Sequence, residues 1–116
     1  MTSPFHIYLY GADGGPIPAS FEDVAECLGQ LDRLYFEPDG SFCWSPAANE
    51  NIFGMVYDAA KRVQYIELRG ECEFATWTQL IAAIRGDHTE SIVIMCLQKR
   101  QMQELQWFEE SLWTSK

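Results

Sequence analysis

With 116 residues, 47% of them hydrophobic and 22% charged, the chain has the size and composition of one folded domain, 1–116, with a core of its own. That composition excludes a disordered tail, a collagen-like repeat and a disulfide-framework miniprotein. Seventeen acids against eight bases leave a net charge of −9, which argues against a nucleic-acid backbone or an anionic membrane as partner. The longest apolar run, Ile92 to Leu97, is six residues, far short of the ~20 that span a bilayer. Met1-Thr2-Ser3-Pro4 carries no basic and apolar leader pattern, so a cytoplasmic location is expected. Cys27, Cys43, Cys72 and Cys96 form no CxxC pair and read as reduced thiols packed like small hydrophobes.

Phe5-His6-Ile7-Tyr8-Leu9-Tyr10 alternates as a strand does, with Phe5, Ile7 and Leu9 on one face and His6, Tyr8 and Tyr10 on the other. Gly11 to Pro18, rich in glycine and proline, reads as a loop. Ser20 is placed to cap a first helix, with Asp23 three residues on, and Phe21, Val24 and Leu28 recur at helical spacing. Leu34–Glu37 and Ser41–Trp44 around Pro38-Asp39-Gly40 predict a hairpin in which Phe36 faces Phe42 and Leu34 faces Trp44. Ile52–Asp58 and Val63–Gly70 predict a second hairpin. Continuous alternation from Asp58 opposite Val63 sets Met55 against Ile66 and Phe53 against Leu68 on the core face.

Phe74, Trp77, Leu80, Ile81 and Ile84 predict a second helix closed by Gly86. Ile92–Leu97, apolar throughout, predicts an interior strand covered on both faces. Met102, Leu105, Phe108 and Leu112 place a third, amphipathic helix within Gln98–Trp113. The order β-α-β-β-β-β-α-β-α predicts an α+β domain, with a mixed, mostly antiparallel sheet of about six strands and helices packed on it.

Two surfaces stand out. Residues 1–60 carry a net −8 and residues 61–116 only −1, and Glu22, Asp23 and Glu26 cluster on the first helix. An acidic face of that kind suits a basic partner protein, although acids in a first turn also complement the helix dipole. The second surface is the sheet face opposite the core, where the alternation places His6, Tyr8, Tyr10, Tyr35, Cys43, Val56, Tyr65, Glu67 and Arg69. Tyrosines there are amphipathic anchors of the sort enriched at protein interfaces, and either the third helix covers them or a partner does. An RNA platform would need a basic field that this chain lacks.

Chemistry-bearing motifs are weak. Gly11-Ala12-Asp13-Gly14-Gly15-Pro16 matches neither phosphate-binding glycine pattern and has no lysine nearby. Asp13 and Asp39 lack a calcium-loop ladder, and His88 reads as a polar loop residue. A grouping of Cys43, His6 and Glu67 would satisfy the needs of a thiolate nucleophile, but it has no motif behind it. No cofactor and no metal is implied. The expectation is a small acidic protein-binding module of adaptor, inhibitor or immunity type, self-associating through the aromatic face. Tyr8, Tyr10, Tyr35, Tyr65, His6, Glu22, Asp23 and Glu26 are its candidate contacts. The alternative is a small-molecule-binding domain or minor enzyme with its pocket at the Gly11–Pro18 loop, lined by His6 and Asp13.

Overall fold

Strand alternation and helix caps set the elements, and tertiary pairing adds one that the sequence does not advertise. A computed structural model describes residues 2–113. It runs from β1 (Ser3–Tyr10) through a 3-10 turn at Ala12–Gly14 into α1 (Phe21–Gly29), then β2 (Leu34–Phe36), β3 (Ser41–Trp44), β4 (Asn51–Ala59) and β5 (Arg62–Cys72). After these come α2 (Phe74–Arg85), β6 (Val93–Cys96), β7 (Gln101–Glu104) and α3 (Leu105–Trp113). The strands form one sheet in the order β2-β3-β4-β5-β1-β6-β7. Every pair is antiparallel. The α+β class stands, with seven strands in place of about six and no parallel pairing in the sheet.

Local chemistry accounts for several boundaries. The Ser20 hydroxyl accepts from the Asp23 N–H at 3.0 Å, which supplies one of the donors left open at the start of α1. Helix α2 is capped from a distance. The buried carboxylate of Glu50, on the turn between β3 and β4, accepts from the Glu73 N–H at 2.9 Å and from the Thr76 hydroxyl at 2.7 Å. In the β2–β3 turn, Asp39 Oδ1 accepts from both the Ser41 N–H and the Ser41 hydroxyl. Gly40 follows at φ +97°, where any side chain would be strained and would strike the Val56 carbonyl.

The β2–β3 register is the one predicted, Leu34 opposite Trp44 and Phe36 opposite Phe42. The β4–β5 register is not. Asp58 does face Val63, but the pairing slips beside it, so that Tyr57 faces Tyr65 and Gln64 is left over as a bulge. From there Val56 faces Ile66, Gly54 faces Leu68 and Ile52 faces Gly70. Met55 and Phe53 are thereby turned off the core face and Val56 is turned onto it, opposite to the expectation. Val63 and Ile66, three residues apart, are both buried, which only a bulge between them permits.

All three helices pack on one side. Val24 and Leu28 of α1, Trp77, Leu80, Ile81 and Ile84 of α2, and Phe108 of α3 share one core with Phe5, Ile7, Leu9, Phe42, Ile52, Val56, Ile66 and Leu68 of the sheet. Trp77 is fully buried, edge-on to Phe5 at 5.2 Å between centroids, and its indole donates to Glu109 at 2.8 Å. Each such aromatic contact is worth ~0.5–1.5 kcal/mol beyond the area it buries. The third helix is shorter than expected. The segment before it pairs with β6 as β7, and Trp113 donates to the Cys72 carbonyl at 3.0 Å, tying α3 to the core side. The sheet's outermost strands, β2 and β7, are three and four residues long.

Candidate functional site

One layer of helices on a sheet leaves the sheet's other surface bare, and the alternation of each strand determines what stands on it. Three rows cross the strands there. Tyr35, Cys43, Phe53, Arg69 and His6 follow the pairings of β2, β3, β4, β5 and β1. Beside them run Ser41, Met55, Glu67, Tyr8, Met95 and Met102, and then Tyr57, Tyr65, Tyr10 and Val93. The chain has five tyrosines, and all five lie on this surface. Helix α3 does not cover them; its buried ring, Phe108, packs on Trp77 on the far side. Tyr35 is 68% exposed, Phe53 49% and Met102 44%, unusual for side chains this apolar. Val93 and Met95 keep partial exposure here, so β6 is covered on one face and not on both as expected.

The rings support one another. Tyr57 stacks on Tyr65 at 4.7 Å, and Tyr65 touches Tyr8 at 5.0 Å and Tyr10 at 5.4 Å. Burial in this cluster, followed by the neighbouring Tyr65 and Tyr8 hydroxyls, raises the Tyr10 pKa above its ordinary value. Tyr57 is raised as well, by burial first and then by the Glu67 carboxylate. Both phenols therefore keep their protons to higher pH than a free tyrosine. His6 Nε2 lies 2.8 Å from Glu67 Oε2, and the Tyr57 hydroxyl donates to Glu67 Oε1 at 3.4 Å. Arg69 stands over the Phe53 ring at 5.7 Å. The surface thus combines mutually packed rings with a few polar groups that already have partners.

Among the sequence-derived candidates, Tyr8, Tyr10, Tyr35, Tyr65 and His6 come together on this face. Glu22, Asp23 and Glu26 do not join them, because α1 lies on the helical side of the sheet, where all three are exposed. The two candidate surfaces are thus back to back. Phe53, Met55 and Tyr57 belong to the face and were missed because the β4–β5 bulge reverses the parity of β4; Val56 was assigned to it for the same reason. The three-residue step from Val63 to Ile66 was the available signal.

The catalytic grouping does not assemble. His6 and Glu67 are in contact, but Cys43 sits on β3, three strands from His6 on β1, or roughly 14 Å at ordinary strand spacing. Cys72 is fully buried, and burial, with the Glu50 carboxylate adding to it, pushes its thiol up to about 12. Among the described residues no three His, Cys, Asp or Glu side chains are arranged to hold a metal ion, and no helix is long and apolar enough to cross a membrane.

The Gly11–Pro18 loop does not shape a pocket of the kind proposed for it. Gly11, Gly14 and Gly15 close it by backbone hydrogen bonds on itself, and the buried Ile17 ties it to Val63 through its N–H at 2.9 Å. His6, the polar group expected to line it, is on the opposite side of the sheet from the core-facing Ile17. A groove of ≈ 550 Å³ does lie next to α1, lined by Asp23, Glu26, Cys27, Arg85, Asp87 and His88 among others, and of that loop only Pro18 reaches it. Both ring nitrogens of His88 are buried without a hydrogen-bond partner, and burial followed by the Arg85 charge lowers its pKa. The imidazole is kept neutral as a result.

Comparison with protein-family models, with curated proteins and with solved structures finds no match to this chain.

Proposed function

We propose that this chain is a small, acidic, non-enzymatic protein-binding module of adaptor, inhibitor or immunity type, acting in the cytoplasm and docking through its bare sheet face. The observation that carries the reading is the gathering of all five tyrosines with Phe53, Met55 and Met102 on one surface that no described element covers. Tyrosine and methionine are enriched at the centres of protein interfaces, and both gather on this face. The acids of α1 on the opposite side supply a field that draws a basic partner and speeds its approach.

The reading is tested by capture from the source cell with three baits: the native chain, a Tyr8→Ser/Tyr65→Ser variant, and a Glu22→Lys/Glu26→Lys variant. Loss of the captured protein with the tyrosine variant, and retention with the helix variant at moderate salt, is the expected result. If the tyrosine variant folds and captures everything the native chain does, the sheet face is not the docking surface.

A second reading rests on the groove between α1 and the end of α2, whose ≈ 550 Å³ would hold a small molecule. A metabolite that raises the melting temperature of the native chain, and fails to do so with His88→Phe, would favour it.

A further inference from the structure

The docking reading leaves open what lies on the bare face. We infer that it is a basic segment of another protein, whose arginine or lysine side chains lie over Tyr8 and Tyr10 between the carboxylates of Glu67 and Glu104. The inference rests on the docking reading and commits it to one occupant.

Charge argues first. The register puts Glu67 and Glu71 of β5 and Glu104 of β7 on this face, and Glu37, whose N–H donates to the Ser41 carbonyl, continues it from the end of β2. Against these four acids the strands hold two bases, Arg69 on the face and Arg62 at the hairpin tip. The face is therefore net acidic, as the whole chain is at −9. A second copy would bring like charge to like, whereas a basic partner brings the complement. Glu37, Glu71 and Glu104 are exposed, and among the described residues the Glu37 and Glu104 carboxylates have no partner of their own.

Chemistry argues second. Glu67 is paired across from Tyr8, while Tyr10 faces Val93 and Val93 in turn faces Glu104. The Tyr8–Tyr10 pair, with ring centroids 6.5 Å apart, thus lies between two carboxylates. One is a single strand away and the other two strands, roughly 5 and 10 Å at ordinary spacing. A guanidinium or ammonium within ~6 Å of a tyrosine ring is attracted to its π-face, and a carboxylate beside it adds a charge-assisted hydrogen bond. Arg69 already uses the face in this way, standing 5.7 Å over the Phe53 ring. Because Tyr8 and Tyr10 both pack on Tyr65, their rings are held before any cation arrives, and little freedom is lost on binding.

Extent argues third and separates a protein from a small amine. From Glu37 on β2 to Glu104 on β7 are six inter-strand steps, about 29 Å. A small amine reaches one or two of the carboxylates, whereas an extended segment of about nine residues crosses the whole width. Phe53, Met55 and Met102 lie between the acids, exposed or half-buried, and are matched by the apolar side chains of a protein segment.

Fluorescence anisotropy at about 0.15 M salt tests the inference, where charges are screened over about 8 Å and acids on the helical side contribute little to a ligand on the sheet face. The probe is a dye-labelled peptide of about twelve residues that alternates arginine, leucine and glycine. Beside it runs a citrulline counterpart, in which a neutral urea replaces each guanidinium. The native full chain should bind the arginine peptide with a Kd below about 100 µM and the citrulline peptide about 10-fold more weakly or worse. Two triple variants of equal net charge separate the surfaces: Glu37→Gln/Glu71→Gln/Glu104→Gln on the face, and Glu22→Gln/Asp23→Asn/Glu26→Gln on α1. The first should weaken arginine-peptide binding about 10-fold or more and the second less than about 3-fold. Tyr10→Leu, which stays apolar but lacks the π-face, should weaken the arginine peptide about 3-fold and leave the citrulline peptide unchanged. Arg69→Gln, which removes the base from the face, should tighten binding about 2-fold and serves if a triple variant fails to fold. A native chain that does not bind the arginine peptide at about 1 mM overturns the inference. So do equal affinities for the two peptides, equal losses from the two triple variants, Tyr10→Leu without effect, or weaker binding by Arg69→Gln. In any of these cases the docking reading is judged separately by the tyrosine-variant capture, which can still succeed with a partner of other chemistry on the face.

Discussion

Gly54 has no conformational reason to be glycine, since it is extended strand; its reason is the ring above it. It lies directly across from Phe42 on β3, and a Cβ built on it would stand 2.1 Å from Phe42 Cζ and 2.4 Å from Cε2. Carbon pairs settle at ~3.5–4.0 Å, so the ring must retreat by more than about 1 Å. It has nowhere to go: Phe42 is 4% exposed and stacks on Phe36 at 5.9 Å, which in turn packs on Phe21. Overpacking of this kind costs ~1–3 kcal/mol, and removing backbone freedom in the unfolded chain returns about 0.5. Gly54→Ala should therefore lower stability by about 0.5–2.5 kcal/mol. For a domain of this length that is a fall of roughly 2–10 °C in melting temperature, read by circular dichroism.

The cause is isolated by a cycle. In a Phe42→Leu background the clash is relieved, so the same Gly54→Ala change should cost less by about 0.5 kcal/mol or more, and that difference is the coupling between the two positions. A Gly54→Ala chain that melts within about 1 °C of native, or a cycle without coupling, would show that the ring does not need the glycine beneath it.

Three other outcomes are expected. Glu50→Ala should cost about 2–3 kcal/mol by urea unfolding, because the Thr76 hydroxyl and the Glu73 N–H lose a buried charged acceptor. Glu50→Gln, which keeps an acceptor, should cost less, and equal losses for the two would refute the capping role. With its thiol up at about 12, Cys72 should resist iodoacetamide at pH 8 in the folded chain and react only after denaturation. Peptide mapping that finds it labelled as fast as the half-buried Cys27 would contradict its burial. Tyr10 and Tyr57 are raised in the fold, so the unfolded chain loses its phenolic protons first. Their contribution is complete below pH ~10 and is lost as pH rises through the folded values. Melting temperatures followed from pH 8 to 11 should fall less steeply in Tyr10→Phe than in the native chain, and identical slopes would remove the assignment.

The sequence made some of this legible and hid the rest for identifiable reasons. The β2–β3 hairpin could be placed to the residue because Pro38-Asp39-Gly40 demands one turn and the flanking alternation is unbroken. The start of α1 was readable because Ser20 can cap it from its own side chain. At α2 the cap comes from Glu50, twenty-three residues earlier, a contact that no local pattern reports. The second hairpin misled because a bulge changes parity without changing composition; Phe53 reads as core by type and stands outside by register. Strand β7 is Gln-Met-Gln-Glu, with neither alternation nor branched side chains, and pairs only because β6 presents an open ladder. The tyrosine face was visible from β1 and β5 alone, whereas nothing local told that α1's acids would stand behind it.

The brevity of β2 and β7 has an effect on how copies of this chain can grow together. Another chain arriving at either rim meets three or four residues of open backbone, too little to nucleate a ladder, so the folded state offers no template for fibrous, edge-to-edge extension. The broad tyrosine face offers no open ladder either, because the backbone groups beneath it are already paired within the sheet, so contact there is made by side chains alone.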